Sequence, residues 1–371
     1  MRIQDVISIL DELAPLKYAE DFDNVGLLVG DNQAELSGIL VTLDTLEPVV
    51  DEAIRMKCNL IVSFHPILFK GLKALTGKTY VERTVLKAIK NDIAIFAIHT
   101  ALDNAYNGVN DIICNQLDLV NKRILIPKKD AIKKLVTYAP TSDAPAIRSA
   151  LFDSGAGAIG NYESCSFNFE GVGTFKGKEG SDPVVGLKGE FQQQQETAIS
   201  ITFPPHLEPV VLKTLFKTHP YEEVAYEISS LNNSNQHIGM GMIGELEEEL
   251  EPEIFFEQLK IKMNTTSIRH SAVIDQPIKS VAVLGGSGSF AIDAAKYAGA
   301  DVFVSADFKY HDFFKAEGEI ILADIGHYES EQFTKTFLTD YLSKKISNFA
   351  PAFELGKIIE SKTKTNPVNY L

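Results

Sequence analysis

Apolar residues in this chain gather in short β-branched runs separated by amphipathic stretches, a rhythm that predicts strand–helix–strand units. Gly38-Ile-Leu-Val-Thr-Leu43 reads as a strand, Pro48 to Met56 as an amphipathic helix, and Asn59-Leu-Ile-Val-Ser63 as a second strand. Residues 280–307 repeat the plan: strand Val281-Ala-Val-Leu284, helix from Phe290 to Ala298, strand Asp301-Val-Phe-Val-Ser305. Each half then carries a further helix and one more strand, Ile93–Ile98 in the first and Ile320–Ile325 in the second. Runs this uniformly apolar predict parallel α/β units, which hold their ligands at the carboxyl ends of strands.

The middle follows another pattern. From Lys128 to Ile243 glycines multiply, and the order becomes strand, helix, strand, strand, helix, strand, the ferredoxin-like sequence of elements. The expected organisation is a first α/β half over residues 1–127, an inserted ferredoxin-like α+β domain over 128–243, and a second α/β half over 244–371. The fold class is therefore α/β with an α+β insertion.

Length agrees with this reading, since 371 residues suit two or three domains. The net charge of −15 opposes nonspecific attraction to nucleic-acid backbones and anionic membranes, so neither is expected as a partner. No run approaches the roughly 18 apolar residues of a membrane span, and the first residues lack the apolar core of a secretory signal. Cys58, Cys114 and Cys165 form no CxxC pair and read as reduced structural thiols. A cytoplasmic location is the expectation.

The chemistry concentrates in a short pattern that occurs twice. His99-Thr-Ala-Leu-Asp103 and His327-Tyr-Glu-Ser-Glu331 each follow a predicted strand, with a carboxylate four positions after a histidine. A helical turn after the strand would set both side chains on one face. Imidazole nitrogen with carboxylate oxygen suits a divalent ion such as zinc, iron or manganese. Strand ends also bring His65 toward the first pair, and Asp307 and His311 toward the second. Gly286-Ser-Gly288-Ser-Phe-Ala291 fits G-x-G-x-x-A, but a tight strand-to-helix turn explains it more simply than a dinucleotide site.

With these motifs in view, the chain resembles the Nif-three-like family of GTP cyclohydrolase type 2 homologues. The resemblance rests on Phe22-Asp-Asn-Val-Gly-Leu-Leu-Val-Gly30, Phe64-His-Pro-Ile-Leu-Phe69, His99 to Asp103, Lys309-Tyr-His-Asp312 and Gly326 to Glu331. Gly155 to Tyr162 and His219-Pro-Tyr-Glu-Glu223 resemble members whose insert is CutA-like.

The resemblance implies a two-metal site, with one or two divalent ions per chain. His65 and Asp103 would bind one ion, His327 the other, and Glu331 would bridge them. His99, Asp307 and His311, with Glu331, would serve catalysis as proton relays or substrate contacts. The implied activity is a metal-dependent hydrolase whose activated water attacks a nucleotide or related small molecule. The alternative is a noncatalytic metal-binding scaffold that recruits partners. A homo-oligomer, a hexamer built from two trimers, is implied in either case. Two positions depart from the family pattern. Phe64 stands where a histidine is usual, so the ion at His327 and Glu331 would lack a ligand. Asp307 likewise replaces a usual glutamate.

Overall fold

A computed structural model describes residues 1–350, 353 and 357–371. They separate into two compact units, Met1–Ile126 with His237–Leu371, and Pro127–Gln236.

The larger unit contains two sheets. In the first, the spatial order is Gly26–Val29, Ala94–Ala97, Leu60–Ser63, Ile39–Thr42 and Ile358–Glu360, all parallel except the first strand. Helices Glu47–Met56 and Tyr80–Lys90 make the crossovers between its parallel strands. In the second sheet, strands Ile278–Ser287, Val302–Ala306 and Ile321–Asp324 are parallel neighbours. Arg269–His270 flanks them on one side, Asn235–Leu250 and then Val120–Lys128 on the other. The predicted helix from Phe290 to Ala298 forms as a short 3-10 turn, Ser289–Ala291, running into helix Ile292–Tyr297.

Alternation along the strands explains why they are apolar throughout. Ile39, Val41, Leu60, Val62 and Phe96 face a core that also receives Val281, Val283, Val302, Val304 and Ile321 from the second sheet. Leu40, Ile61 and Ile95 point the other way, against Val49, Val50 and Val85 of the crossover helices. Ala282, Phe303 and Leu322 do the same in the second sheet, against Ile292 and Ala295. Both faces of each central strand are thus dry, the condition under which parallel sheets occur.

The smaller unit has strand Lys133–Pro140, helix Ala144–Asp153, strands Phe167–Lys176 and Phe191–Phe203, helix Glu208–Thr218 and strand Tyr226–Ser230. All its pairings are antiparallel, with the first and third strands central. This is the ferredoxin-like arrangement. Residues 237–243, which the sequence placed in the insert, belong to the larger unit. They lie in the long strand Asn235–Leu250, which pairs from Met242 onward with Ile278–Ser287. Among the described residues no helix is long and apolar enough to cross a membrane.

The last strand is held by a buried carboxylate. Glu52, 4% exposed, accepts from the Ser361 and Thr363 hydroxyls at 2.6 and 2.7 Å and from the Lys362 and Thr363 amides at 3.0 and 3.2 Å. Burial works against its charge, but these donors prevail and hold its pKa below the ordinary glutamate value. Its stabilisation is therefore full above the unfolded pKa and fades as pH falls through the folded one. Glu52→Ala leaves the buried Ser361 hydroxyl without its acceptor and removes the other three bonds, and should cost about 1–3 kcal/mol at neutral pH. Denaturant unfolding will measure this, and the difference from wild type should shrink in acid.

Candidate metal centre

Five side chains of the site sit just past the carboxyl ends of parallel strands. Asp44 follows Ile39–Thr42, His65 follows Leu60–Ser63, His99 follows Ala94–Ala97, Asp307 follows Val302–Ala306 and His327 follows Ile321–Asp324. His99–Asp103 and His327–Glu331 are each a single helical turn, as their spacing predicted. Two of the first residues after a strand, His99 and Asp307, adopt positive φ angles of 26° and 59°. This backbone strain aims their side chains away from the strand direction, a cost usually met at functional positions.

Three donor atoms meet at one place. Glu331 Oε2 lies 3.2 Å from His65 Nε2 and 3.3 Å from His327 Nε2, and the two nitrogens are 3.4 Å apart. The point equidistant from all three is about 1.9 Å from each, close to the roughly 2.0–2.2 Å at which zinc sits from imidazole and carboxylate ligands. Each imidazole is oriented from behind: Asp44 Oδ1 is 2.9 Å from His65 Nδ1, and Asp307 Oδ2 is 2.8 Å from His327 Nδ1. Carboxylates on Nδ1 leave Nε2 as the coordinating atom, the usual arrangement behind a metal-bound histidine.

The electrostatics fit a cation. Burial opposes charge on His65, yet Glu331 and Asp44 raise its pKa to about 10. Burial likewise opposes charge on His327, and Asp307 with Glu331 raises it to about 11. Glu331 is driven the other way, to about 2, because His65 and His327 outweigh its burial. Its Oε2 is enclosed and accepts no well-directed hydrogen bond. Asp103 is half-buried near the same groups, and desolvation followed by the Glu331 charge pushes its pKa well up. Its Oδ1 is also an enclosed acceptor without a donor. Two carboxylates with enclosed oxygens that accept no well-directed hydrogen bond, beside imidazoles already oriented, fit a divalent ion.

The sequence expectation divides His65 and His327 between two ions, whereas their Nε2 atoms converge on one point with Glu331. In the first repeat, moreover, the histidine does not meet its own carboxylate. His99 Nδ1 is 2.9 Å from both oxygens of Asp23, which also accepts from the Thr100 amide and hydroxyl. Burial opposes the Asp23 charge, but these partners bring its pKa to about 2. The His99 ring stands 5.2 Å from the His65 ring, beside the centre rather than in it. His311 is exposed and packs on Tyr310 and Phe314; among the described residues it is not drawn into the cluster. Phe64 is fully buried, with its ring 4.9 Å from His65 and 5.6 Å from His99.

Several contributors escaped the sequence reading. Asp44 stands at a strand end as His65 does, so the same rule would have found it. Gly286 has φ +67°, and a Cβ there would come within 2.5 Å of Glu331 Oε1 and 3.3 Å of His327 Nε2. The glycine pair of G-x-G-x-x-A thus makes room for this site and, at Gly288, for the Ser305 hydroxyl. Asn110, fully enclosed, donates to the Asp103 carbonyl at 3.1 Å and accepts from the Gly285 amide at 3.0 Å. It couples the Asp103 turn to the strand end beside Glu331.

Comparison with known proteins agrees over the full length. The family described as Duf34/NIF3 (NGG1p interacting factor 3) matches residues 1–367. A Bacillus subtilis protein named GTP cyclohydrolase 1 type 2 homolog is 36% identical over 371 residues, 99% of this chain and 98% of its own length. A Bacillus cereus protein related to NIF3, known from its crystal structure, is 35% identical with a TM-score of 0.86, covering 100% of this chain and 99% of that one. A Staphylococcus aureus crystal structure is 30% identical with a TM-score of 0.75, again covering 100% and 99%. Matched along nearly every residue and in both units, the chain belongs to the Duf34/NIF3 family.

Proposed function

We propose that this protein is a divalent-metal-dependent hydrolase acting on a nucleotide or related small molecule. The observation that carries the reading is the convergence of His65 Nε2, His327 Nε2 and Glu331 Oε2, each imidazole backed by a carboxylate. These three residues would hold one ion, with Asp103 beside it as a further acid; zinc, iron and manganese all suit the donors. When bound, such an ion supplies Lewis acidity to a water nucleophile and to the electrophilic centre of the substrate. Asp44 and Asp307 keep the two Nε2 atoms turned inward. His99, its Nδ1 held by Asp23, offers Nε2 to carry a proton to or from the reacting groups. The name of the Bacillus subtilis relative motivates the nucleotide among the candidate substrates.

A homo-oligomer belongs to the same proposal. Strand Phe167–Lys176 is an edge of its sheet and exposes Phe167, Phe169 and Val172, with Val184, Leu187 and Phe191 exposed in the same hairpin. An apolar edge of this kind needs a cover. A second and third copy of the chain would supply it, and two such trimers would make the hexamer. The alternative reading is a noncatalytic metal-binding scaffold built on the same assembly.

Stripped and reconstituted protein assayed on a nucleotide and phosphoester panel separates the two readings. Turnover should appear only with metal, and Glu331→Gln should lose both turnover and metal content. Metal binding without turnover on any substrate would favour the scaffold. The raised histidine pKa values also fix the sign of a pH effect. The acids around both imidazoles favour their protonated forms, so taking up an ion through Nε2 should displace protons, and affinity should rise with pH. Calorimetry in buffers of different ionisation enthalpy will count them, and zero release would contradict the ligand set.

Phe64 sets the stoichiometry. The purified chain should hold about one metal tightly, because phenylalanine supplies no ligand for a second. Phe64→His should tighten a second ion while destabilising the metal-stripped protein by about 1–3 kcal/mol, since it buries a polar ring in the core. Titration of stripped protein with unfolding curves tests both effects.

Replacing residues 127–236 with a short flexible linker should lower the oligomeric order and leave metal uptake intact. Light scattering showing an unchanged assembly would remove the insert from the explanation.

A further inference from the structure

The Ile358–Glu360 strand runs parallel to Ile39–Thr42, with Glu360 level with Val41. Parallel pairing makes the chain leave this sheet at its carboxyl edge, where Asp44 and His65 stand. Glu52 then fixes Ser361 to Thr363 through the hydrogen bonds described above. The next residues run beside the candidate centre. Thr365 is buried, and its hydroxyl lies close to Asp44, the carboxylate that orients His65, and favours its ionised form. One residue on, Asn366 Nδ2 donates to Glu329 Oε1 at 3.0 Å, inside the His327–Glu331 turn. The amide is held that way round because its Oδ1 accepts from the Val368 amide at 3.0 Å. Farther on, the Tyr370 hydroxyl packs on Gly326, where a Cβ would come within 2.6 Å of it.

Adjacent residues therefore reach opposite sides of the site. Thr365 bears on the ligand from the first half, and Asn366 on the turn that carries both ligands of the second. We infer that Thr365 and Asn366 are positioning residues of the metal centre, a strap that keeps Asp44–His65 and the His327–Glu331 turn in register. The inference rests on the metal-binding reading above. It goes beyond that reading by assigning the alignment of the two halves to a segment that contributes no ligand.

The test uses the full-length chain stripped of metal, with zinc for calorimetry and cobalt(II) as a spectroscopic probe of ligand geometry. Thr365→Val keeps the shape and removes the hydroxyl, Thr365→Ser keeps the hydroxyl, and Asn366→Ala removes the link to Glu329. Thr365→Val and Asn366→Ala should each weaken zinc binding about fivefold or more and alter the cobalt absorption bands. Melting of the stripped proteins should stay within a few degrees of wild type. Thr365→Ser should restore wild-type affinity and spectrum. Wild-type affinity in both Thr365→Val and Asn366→Ala would overturn the inference. So would equal weakening in Thr365→Ser and Thr365→Val, which would make the hydroxyl irrelevant. If the wild-type chain takes up neither zinc nor cobalt, the metal-binding reading itself falls and this inference with it.

Discussion

The Glu331 carboxylate is 3% exposed, and the construction around it follows from the cost of keeping a charge there. A buried anion without compensation costs several kcal/mol. Here the compensation comes from His65 at 3.2 Å and His327 at 3.3 Å, one from each half of the larger unit. That contact is possible only because the two sheets share a core, where Val62 and Phe96 of one meet Val283 and Val304 of the other. The packing that buries apolar strands thereby also brings strand ends from the two halves to one point.

Supporting contacts then remove the remaining freedom. Asp44 and Asp307 fix the ring orientations, while Ser330 Oγ accepts from the Gly286 amide at 2.9 Å and holds the strand end against the Glu331 turn. Gly286 is required because any side chain there would enter the carboxylate's space. Asn110 does similar work beside Asp103, bonding the Asp103 carbonyl with one end of its amide and the Gly285 N–H with the other. A site held this way would need little rearrangement to accept the ion proposed above.

The duplicated pattern did not produce duplicated chemistry. His327 and Glu331 meet across one helical turn, as spacing allows. His99 and Asp103 occupy an equivalent turn, yet His99 turns to Asp23, 76 positions away, and Asp103 faces Glu331 and His65. Helical spacing places two residues on one face, but the rotamer each adopts depends on what tertiary packing sets nearby. In the first half that neighbour is the Asp23 loop, which also captures the Thr100 hydroxyl and amide.

Sequence alone determined the three central parallel strands of each half, the crossover helices of the first, the ferredoxin-like order of the insert and the ends at which His65, His99, Asp307 and His327 stand, whereas the last crossover of the second half is a 3-10 turn, Tyr310–Ala316, where a helix is expected. Those follow from local periodicity and from the rule that parallel α/β units present ligands at strand carboxyl ends. It did not determine which imidazole meets which carboxylate. Asp44 and His65 are 21 positions apart and His65 and His327 are 262 apart, so no local spacing encodes their contact. Nor could it show that the segment around Thr365 and Asn366 reaches the same centre. Both outcomes depend on strand order and on the shared core of the two sheets, which exist only once the chain has folded.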